Sequence, residues 1–263
     1  MHLVVLLKRV LDPEIPQSAF SLDPQHKEPS ALRHPFVLSV FDGNALELAL
    51  RLRDTRAEVR VTALTLGPRA AEDVLRKALA LTVDEAVHIV GDEAGLPAGR
   101  KARVLAAAIR RLAPADLVLC GRQAADWEAG QLGGMLAEAL GLPCLPFVSG
   151  LGLAPGGFEA VQQVESGQAV YRVAGPAVLT VTNDPGNVLR PARIRDVMAA
   201  RGRELTTIPL ADLVPGTEGD EAGVETLDLR LPTPRRRAEI LDGGDAAETA
   251  ARLARRLREL GAV

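Results

Sequence analysis

The residues best suited to chemistry lie together in Leu119-Cys120-Gly121-Arg122-Gln123-Ala124-Ala125-Asp126-Trp127-Glu128-Ala129-Gly130-Gln131-Leu132-Gly133-Gly134. An apolar strand ends there, a polar loop follows, and a glycine-bearing helix begins at Gly130. Backbone N–H groups at such a helix start can hold a phosphate, and the helix dipole favours its negative charge. Gly130, Gly133 and Gly134 let backbone approach a ligand or the sheet closely. Arg122 has the charge to pair with phosphate oxygens, and Asp126 has oxygens that accept from ribose hydroxyls. The alternative is a helix that only packs onto its sheet through these glycines. The loop alone leaves both open, because glycine motifs often match by chance.

Other catalytic patterns are missing from the sequence. No GxGxxG follows the first strand, and there is no GxxxxGK[ST], no SGGxDS loop, no GxSxG and no HExxH. His2, His26, His34 and His88 are scattered, and His88 sits inside a strand, where a satisfied core histidine is expected. Cys120 ends an apolar strand and reads as a buried, inert thiol. Neither it nor Cys144 has a neighbour at metal-ligand spacing, and no metal site is expected. The chain offers a place for a nucleotide without acid–base or nucleophilic machinery, which favours a binder or carrier over a hydrolase.

The elements that position this loop follow from hydrophobic periodicity. Strands are expected at Leu3–Leu7, Glu58–Leu66, Ala86–Val90 and 115–120. They alternate with helices at Asn44–Arg53, Ala70–Leu81, Lys101–Leu112 and Gly130–Leu140. Ala45, Leu48, Ala49 and Leu52 give the first helix its apolar stripe, and Gly141 reads as a left-handed cap for the fourth. This order implies a doubly wound, mostly parallel α/β sheet covered on both faces. Such sheets bind ligands at the carboxyl ends of their strands, near the switch in strand order. Beyond Gly141 a hairpin of Phe158–Val164 and Gln168–Val173, a strand at Pro176–Thr182, a turn at Asp184–Gly186 and a short arginine-rich helix at Ile194–Arg201 are expected. Residues 205–236 carry prolines and no strong period, so they read as an extended arm. A final amphipathic helix spans Asp245–Leu260, capped by Asp245 with Glu248 three residues on. The division expected is a nucleotide-binding domain at 1–204, with a hairpin insertion at 157–174 and a partner-recognition segment at 188–203, followed by an arm and helix at 205–263.

Composition narrows the class further. A net charge of −3 gives no global basic field for nucleic acid or anionic lipid, and 3% aromatic residues are poor material for base stacking. The apolar run Leu3–Leu7 is too short for a secretory signal, and no run approaches the about 20 residues of a membrane span. Two cysteines without a framework fit a reducing cytoplasm.

Five ordered stretches resemble the β subunits of electron-transfer flavoproteins, the family that includes the FixA proteins. They are Val5-Leu6-Leu7-Lys8-Arg9-Val10, Phe41–Leu52, Leu75–Ala80 with Asp84–His88, Gly121-Arg122-Gln123-Ala124 with Asp126, Gln131 and Gly133, and Arg190–Arg203 with Val197-Met198-Ala199-Ala200. The resemblance implies an adenine-nucleotide α-hydrolase-like, Rossmann-like fold, and a heterodimer with an α subunit that the C-terminal arm and helix contact. It implies FAD between the subunits, held mainly by α, and AMP buried in β as a structural ligand. Carried over by position, the nucleotide contacts are Leu6, Ser39, Val40, Phe41, Asp42, Leu66, and the run Gly121, Arg122, Gln123, Ala124, Ala125, Asp126, Trp127, Glu128, Ala129, Gly130, Gln131 and Leu132. Phe41 is also expected near the flavin.

Arg190–Arg203 resembles the segment that docks flavin dehydrogenases such as acyl-CoA dehydrogenases, with Ile194 as the apolar anchor and Arg195, Val197 and Met198 around it. No bond-making chemistry of its own is expected of the chain. The resemblance implies that the electrons go on to an electron-transfer-flavoprotein quinone oxidoreductase. Two rivals stand beside this reading: an electron-bifurcating member with a second FAD in place of AMP, and a free-standing nucleotide-binding regulator of the universal-stress type. The sequence also departs from the family. Ser39-Val40 replaces Asn-Pro, Pro13 replaces a tyrosine of some members, Ala199 and Gly202 replace lysines, and Trp127-Glu128 is unusual.

Overall fold

Seven strands run parallel in one sheet, and two further strands extend the same sheet as an antiparallel hairpin. The computed structural model describes residues 1–16, 19–23, 28–30, 35–93, 95–213, 227–231 and 238–262. Residues 214–226 and 232–237, much of the stretch read as an arm, lie outside the described residues, as do His26 and His34. In chain order the elements are β1 (His2–Leu6), β2 (Arg9–Leu11), β3 (Ser21–Asp23), β4 (Glu28–Ser30), β5 (Phe36–Leu38), α1 (Val40–Thr55), β6 (Arg60–Gly67), α2 (Glu72–Ala80), β7 (Glu85–Val90), α3 (Ala98–Arg111), β8 (Leu117–Gly121) and α4 (Leu132–Leu140). They continue with β9 (Cys144–Ala154), β10 (Gly157–Val164), β11 (Gly167–Val173), β12 (Ala177–Val181), α5 (Ile194–Ala200), β13 (Thr206–Pro209) and α6 (Ala246–Glu259).

The main sheet runs β11-β10-β9-β12-β8-β1-β6-β7-β13. β1 is its centre, paired in parallel with β6 on one side and β8 on the other. The chain winds outward from β1 through β6 and β7, then returns to β8 on the other side. The switch in strand order therefore falls between β1 and β8, where a crevice is expected at the carboxyl ends. Two further ladders, β2 with β5 and β3 with β4, are short antiparallel pairs.

The two faces have separate cores. Leu3, Val5, Leu117 and Leu119 point to the side of α1 and α2, where Leu46, Leu50, Leu75 and Leu79 meet them. Val4, Leu64, Val87 and Val118 point to the side of α3 and α4, with Val104, Leu105 and Leu136. Each such fully buried side chain contributes about 1.5–3 kcal/mol by leaving water. The alternation of faces along strands that are apolar on both sides is what a covered parallel sheet requires.

Helix α1 is buried well beyond its expected stripe. Asn44 and Glu47 are buried too, because the segment after β12 lies over them. Asn44 Oδ1 accepts from the Asp184 N–H at 3.1 Å, and Glu47 is gripped by the Arg190 guanidinium at 2.8 to 3.0 Å. Arg190 also reaches Asp54 at 2.5 Å.

Several boundaries differ from expectation for physical reasons. The helix expected from Gly130 starts at Leu132, because Glu128 and Gly130 both have left-handed backbone, with φ of 51° and 65°, and the chain cannot be helical until past them. Gly141 does close α4 in the left-handed region, with φ 71°. β9 has no counterpart in the sequence reading. Pro146, Gly150 and Gly152 break its pattern, and a bulge opposite Thr180 leaves Phe147 at φ 56°. The first residues of the stretch read as an arm form β13, an edge strand beside β7. The hairpin forms as read, with Val164 opposite Gly167.

Residues 1–227 form one compact unit, and 228–263 a second. In the second, the Asp245 side chain caps α6 by accepting from the Glu248 N–H at 2.7 Å, and none of that helix's residues is buried. Among the described residues no helix is long and apolar enough to cross a membrane, and no cluster of histidine, cysteine, aspartate or glutamate could hold a metal ion.

Candidate functional site

The carboxyl ends of β1 and β8 are tied together by one side chain from the first turn of α1. Asp42 is 6% exposed. Its Oδ2 accepts from the Lys8 N–H and its Oδ1 from the Gly121 N–H, each at 2.8 Å. Burial, the largest influence, raises the Asp42 carboxyl to about 7, against the lowering effect of both N–H groups and of the Lys8 ammonium; Asp126 adds to the rise.

The approach of α1 to β8 is close enough to require glycine at 121. A Cβ there would come within 2.6 Å of Phe41 Cβ, 2.8 Å of Asp42 Oδ1 and 2.9 Å of the Phe41 carbonyl carbon. Phe41 is buried, and the Arg122 guanidinium lies 5.0 Å from its ring centroid, within cation–π range. Ser39 precedes α1 and gives it no side-chain cap; its N–H donates to Lys8 O at 3.0 Å. Among the described residues three side-chain atoms are buried without a hydrogen-bond partner: Arg100 Nε on α3, Ser39 Oγ just before α1 and Arg122 Nε just after β8. Such atoms cost about 1–3 kcal/mol each while unmet, and Ser39 Oγ and Arg122 Nε belong to the switch-point edge.

An ion pair joins the segment after β1 to the loop after β8. Lys8 Nζ lies 2.7 Å from Asp126 Oδ2, and Asp126 Oδ1 also accepts from the Trp127 N–H at 2.8 Å. Lys8 enters the sequence reading only within the family-like stretch Val5–Val10 and is not among the expected site residues. Its position directly after the first apolar run was the available signal.

The expected site residues fall as follows. Leu6 and Leu66 are buried at the ends of β1 and β6, on the α3–α4 side of the sheet. Ser39, Phe41 and Asp42 are buried and Val40 is exposed at the start of α1. Gly121 ends β8; Arg122, Gln123, Ala124 and Ala125 are half-buried; Asp126 through Gln131 are exposed, and Leu132 opens α4 half-buried. Trp127 is 51% exposed. Leu6, Ser39–Asp42 and the Gly121–Leu132 loop thus share the switch-point edge, with Leu66 one strand beyond β1. Of the loop's glycines, Gly133 makes the close approach: a Cβ there would overlap Thr180 Cγ2, while Gly134 faces open space.

Ile194, Arg195, Val197 and Met198 lie away from this edge, on α5, which packs on α2. Ile194 is 85% exposed, the Arg195 side chain is largely exposed, and Val197 and Met198 are exposed beside them. His88 is a core histidine, 2% exposed with Nε2 3.3 Å from Gly67 O, and burial lowers its pKa. Cys120 is buried, and burial pushes its thiol far up.

Residues 31–213 match the family model described as the electron transfer flavoprotein domain. The chain is 31% identical over 219 residues to the electron transfer flavoprotein subunit beta of Megasphaera elsdenii, covering 80% of this chain and 79% of that one. It is 30% identical over 259 residues to the subunit beta of Mycobacterium tuberculosis, covering 93% and 94%. It is 29% identical over 271 residues to the caffeyl-CoA reductase-Etf complex subunit CarD of Acetobacterium woodii, covering 98% of each.

Proposed function

The chain belongs to the electron transfer flavoprotein β-subunit family, and on that premise we propose that it holds AMP at the switch-point crevice and forms one wall of an FAD site shared with an α subunit. The observation that carries this is unspent hydrogen-bonding capacity. Ser39 Oγ and Arg122 Nε are buried and unpartnered at the edge where α1, β1 and β8 converge, which is where an α/β sheet takes a nucleotide. The residues fit an adenine nucleotide. Arg122 and Lys8 offer cations to phosphate oxygens, and Asp126 offers a carboxylate to ribose hydroxyls. Bound to the folded chain alone, such a ligand stabilises it by about 4 kcal/mol at a thousandfold excess over Kd.

The flavin, when bound, supplies the carrying of electrons from dehydrogenases such as acyl-CoA dehydrogenases to a quinone oxidoreductase in the cytoplasm or at its membrane. This chain's residues do the positioning. Phe41 and the first turn of α1 face the flavin side, the C-terminal arm and α6 grip the α subunit, and α5 presents Ile194, Val197 and Met198 inside an arginine rim to the donor. A second reading, a second FAD in place of AMP, rests on likeness along nearly the full chain to CarD, a subunit of a reductase–Etf complex.

The test is to co-express the chain with a candidate α subunit, purify the complex, denature it, and quantify nucleotides. One AMP and one FAD per heterodimer supports the carrier. Two FAD without AMP moves the assignment to the second reading. A folded chain that brings down neither nucleotide nor flavin refutes both.

A further inference from the structure

Asp42 is the buried site residue whose side chain spends both oxygens on backbone N–H groups. Its two oxygens hold the N–H groups at the ends of the two central strands. Through them it sets where Lys8 and Gly121 sit, and with them both lips of the crevice. Lys8 carries the ion pair to Asp126. Gly121 begins the loop and touches Phe41 at the start of α1. A carboxylate can accept at both oxygens at once; a neutral carboxyl carries a hydrogen on one of them and must give up one of the two bonds.

We propose that Asp42 is a positioning residue that, through its bonds to the Lys8 and Gly121 N–H groups, draws the ends of β1 and β8 together when ionised and loosens them when protonated, so that ligand retention by this subunit depends on pH. This deepens the functional reading above and rests on it for the identity of the ligand. The groups that face Asp42 from the elements around it are the Lys8 ammonium at the end of β1, the Asp126 carboxylate in the loop after β8, and the buried Cys120 thiol on β8; Arg122 stands across Phe41. Cys120 stays protonated throughout. Lys8 and Asp126 neutralise each other, so the Asp42 carboxyl itself changes charge.

The sign separates this role from simple structural support. The folded carboxyl titrates at about 7, above its ordinary value of 3.8. Asp42 therefore favours the fold fully below that ordinary value, and the contribution is lost as pH rises through about 7. Ligand retention runs the other way: it is full above about 7 and falls below it. A residue that only supported the fold would move both together.

The experiment uses the purified heterodimer with its own ligands, in wild type and Asp42→Asn, with nucleotide release followed between about pH 5.5 and about pH 8.5. Asparagine keeps the shape but turns an NH2 toward one backbone N–H, which fixes the loosened state. Wild-type release is expected to be about tenfold faster one pH unit below the inflection than well above it. Asp42→Asn is expected to release at the fast rate at every pH. A variant with the wild-type rate and profile, or a wild-type rate flat across the range, overturns the proposal. If the wild-type complex carries no nucleotide or flavin at any pH, the functional reading fails instead. The clamp is then read from hydrogen exchange of the Lys8 and Gly121 amides in the wild-type chain, corrected for intrinsic rates. Protection lost below about pH 7 supports it, and equal protection on both sides refutes it. The same exchange measurement decides the matter if the variant does not fold.

Discussion

Two adjacent glycines at the start of α4 are expected to respond to alanine in opposite directions. Alanine in a helix interior is better than glycine by about 0.8–1 kcal/mol. At Gly134 a Cβ meets nothing within 4 Å, so Gly134→Ala gains that amount. At Gly133 the new methyl would overlap Thr180 Cγ2 on β12 and lie 3.3 Å from Cys120 Sγ. Forced overpacking costs about 1–3 kcal/mol, so Gly133→Ala ranges from near neutral to about 2 kcal/mol worse. Thr180→Ser removes the obstructing methyl and keeps the hydroxyl that accepts from the Phe147 N–H. Alone it costs about 1 kcal/mol; with Gly133→Ala the methyl is in effect moved from strand to helix, and the double variant returns to wild-type stability or better. The coupling is then about 1–3 kcal/mol in favour of the pair. Urea midpoints at unchanged slope measure it. If Gly133→Ala gains as much as Gly134→Ala, or if the two changes simply add, the close approach of α4 to β12 is refuted.

Arg190→Met leaves the buried Glu47 carboxylate without its partner; with the arginine itself partly exposed, the loss is expected at about 2–3 kcal/mol by urea unfolding, and Glu47→Gln in the same background should recover much of it. Thiol titration of the native chain should count one fast cysteine, Cys144, with Cys120 reacting only in denaturant, because Cys120 is buried and Cys144 is exposed. Two fast thiols would mean that β8 is not shielded by α4. Ile194→Asp should leave the unfolding midpoint within about 0.5 kcal/mol of wild type, since the side chain is almost wholly exposed, while weakening electron transfer from a cognate dehydrogenase; an unchanged rate removes α5 from the docking surface.

Periodic segments were legible where one core face dominates. Val74, Leu75, Ala78 and Leu79 mark α2, and Gly141 ends α4 as its backbone freedom suggests. β9 was not legible, because prolines and glycines interrupt a strand that survives on its partners β10 and β12 rather than on its own pattern. β13 has four residues, mostly exposed, and only its pairing with β7 makes it a strand. At the site, the loop after β8 announces itself through its glycines and charges. The clamp does not, because Asp42 joins two backbone amides far from it in sequence, and a bond from side chain to main chain leaves no signature in the residue types it reaches. The sequence offers Asp126 to a ribose and Lys8 only as part of a strand end, and the sheet order is what sets the two face to face.

The sheet order also fixes a sequence of events as the chain leaves the ribosome. β1 emerges before β6, but its other neighbour, β8, follows much later, with Leu3 meeting Leu117 across that ladder. Contacts so distant along the chain form late and slowly. Until β8 docks, one edge of β1 is bare, the Asp42 carboxylate has one amide of its two, and no crevice exists for a nucleotide. A ligand therefore rewards only the completed sheet. On the function proposed above, a nucleotide bound at this edge would hold a finished chain against reopening without selecting among partly folded ones.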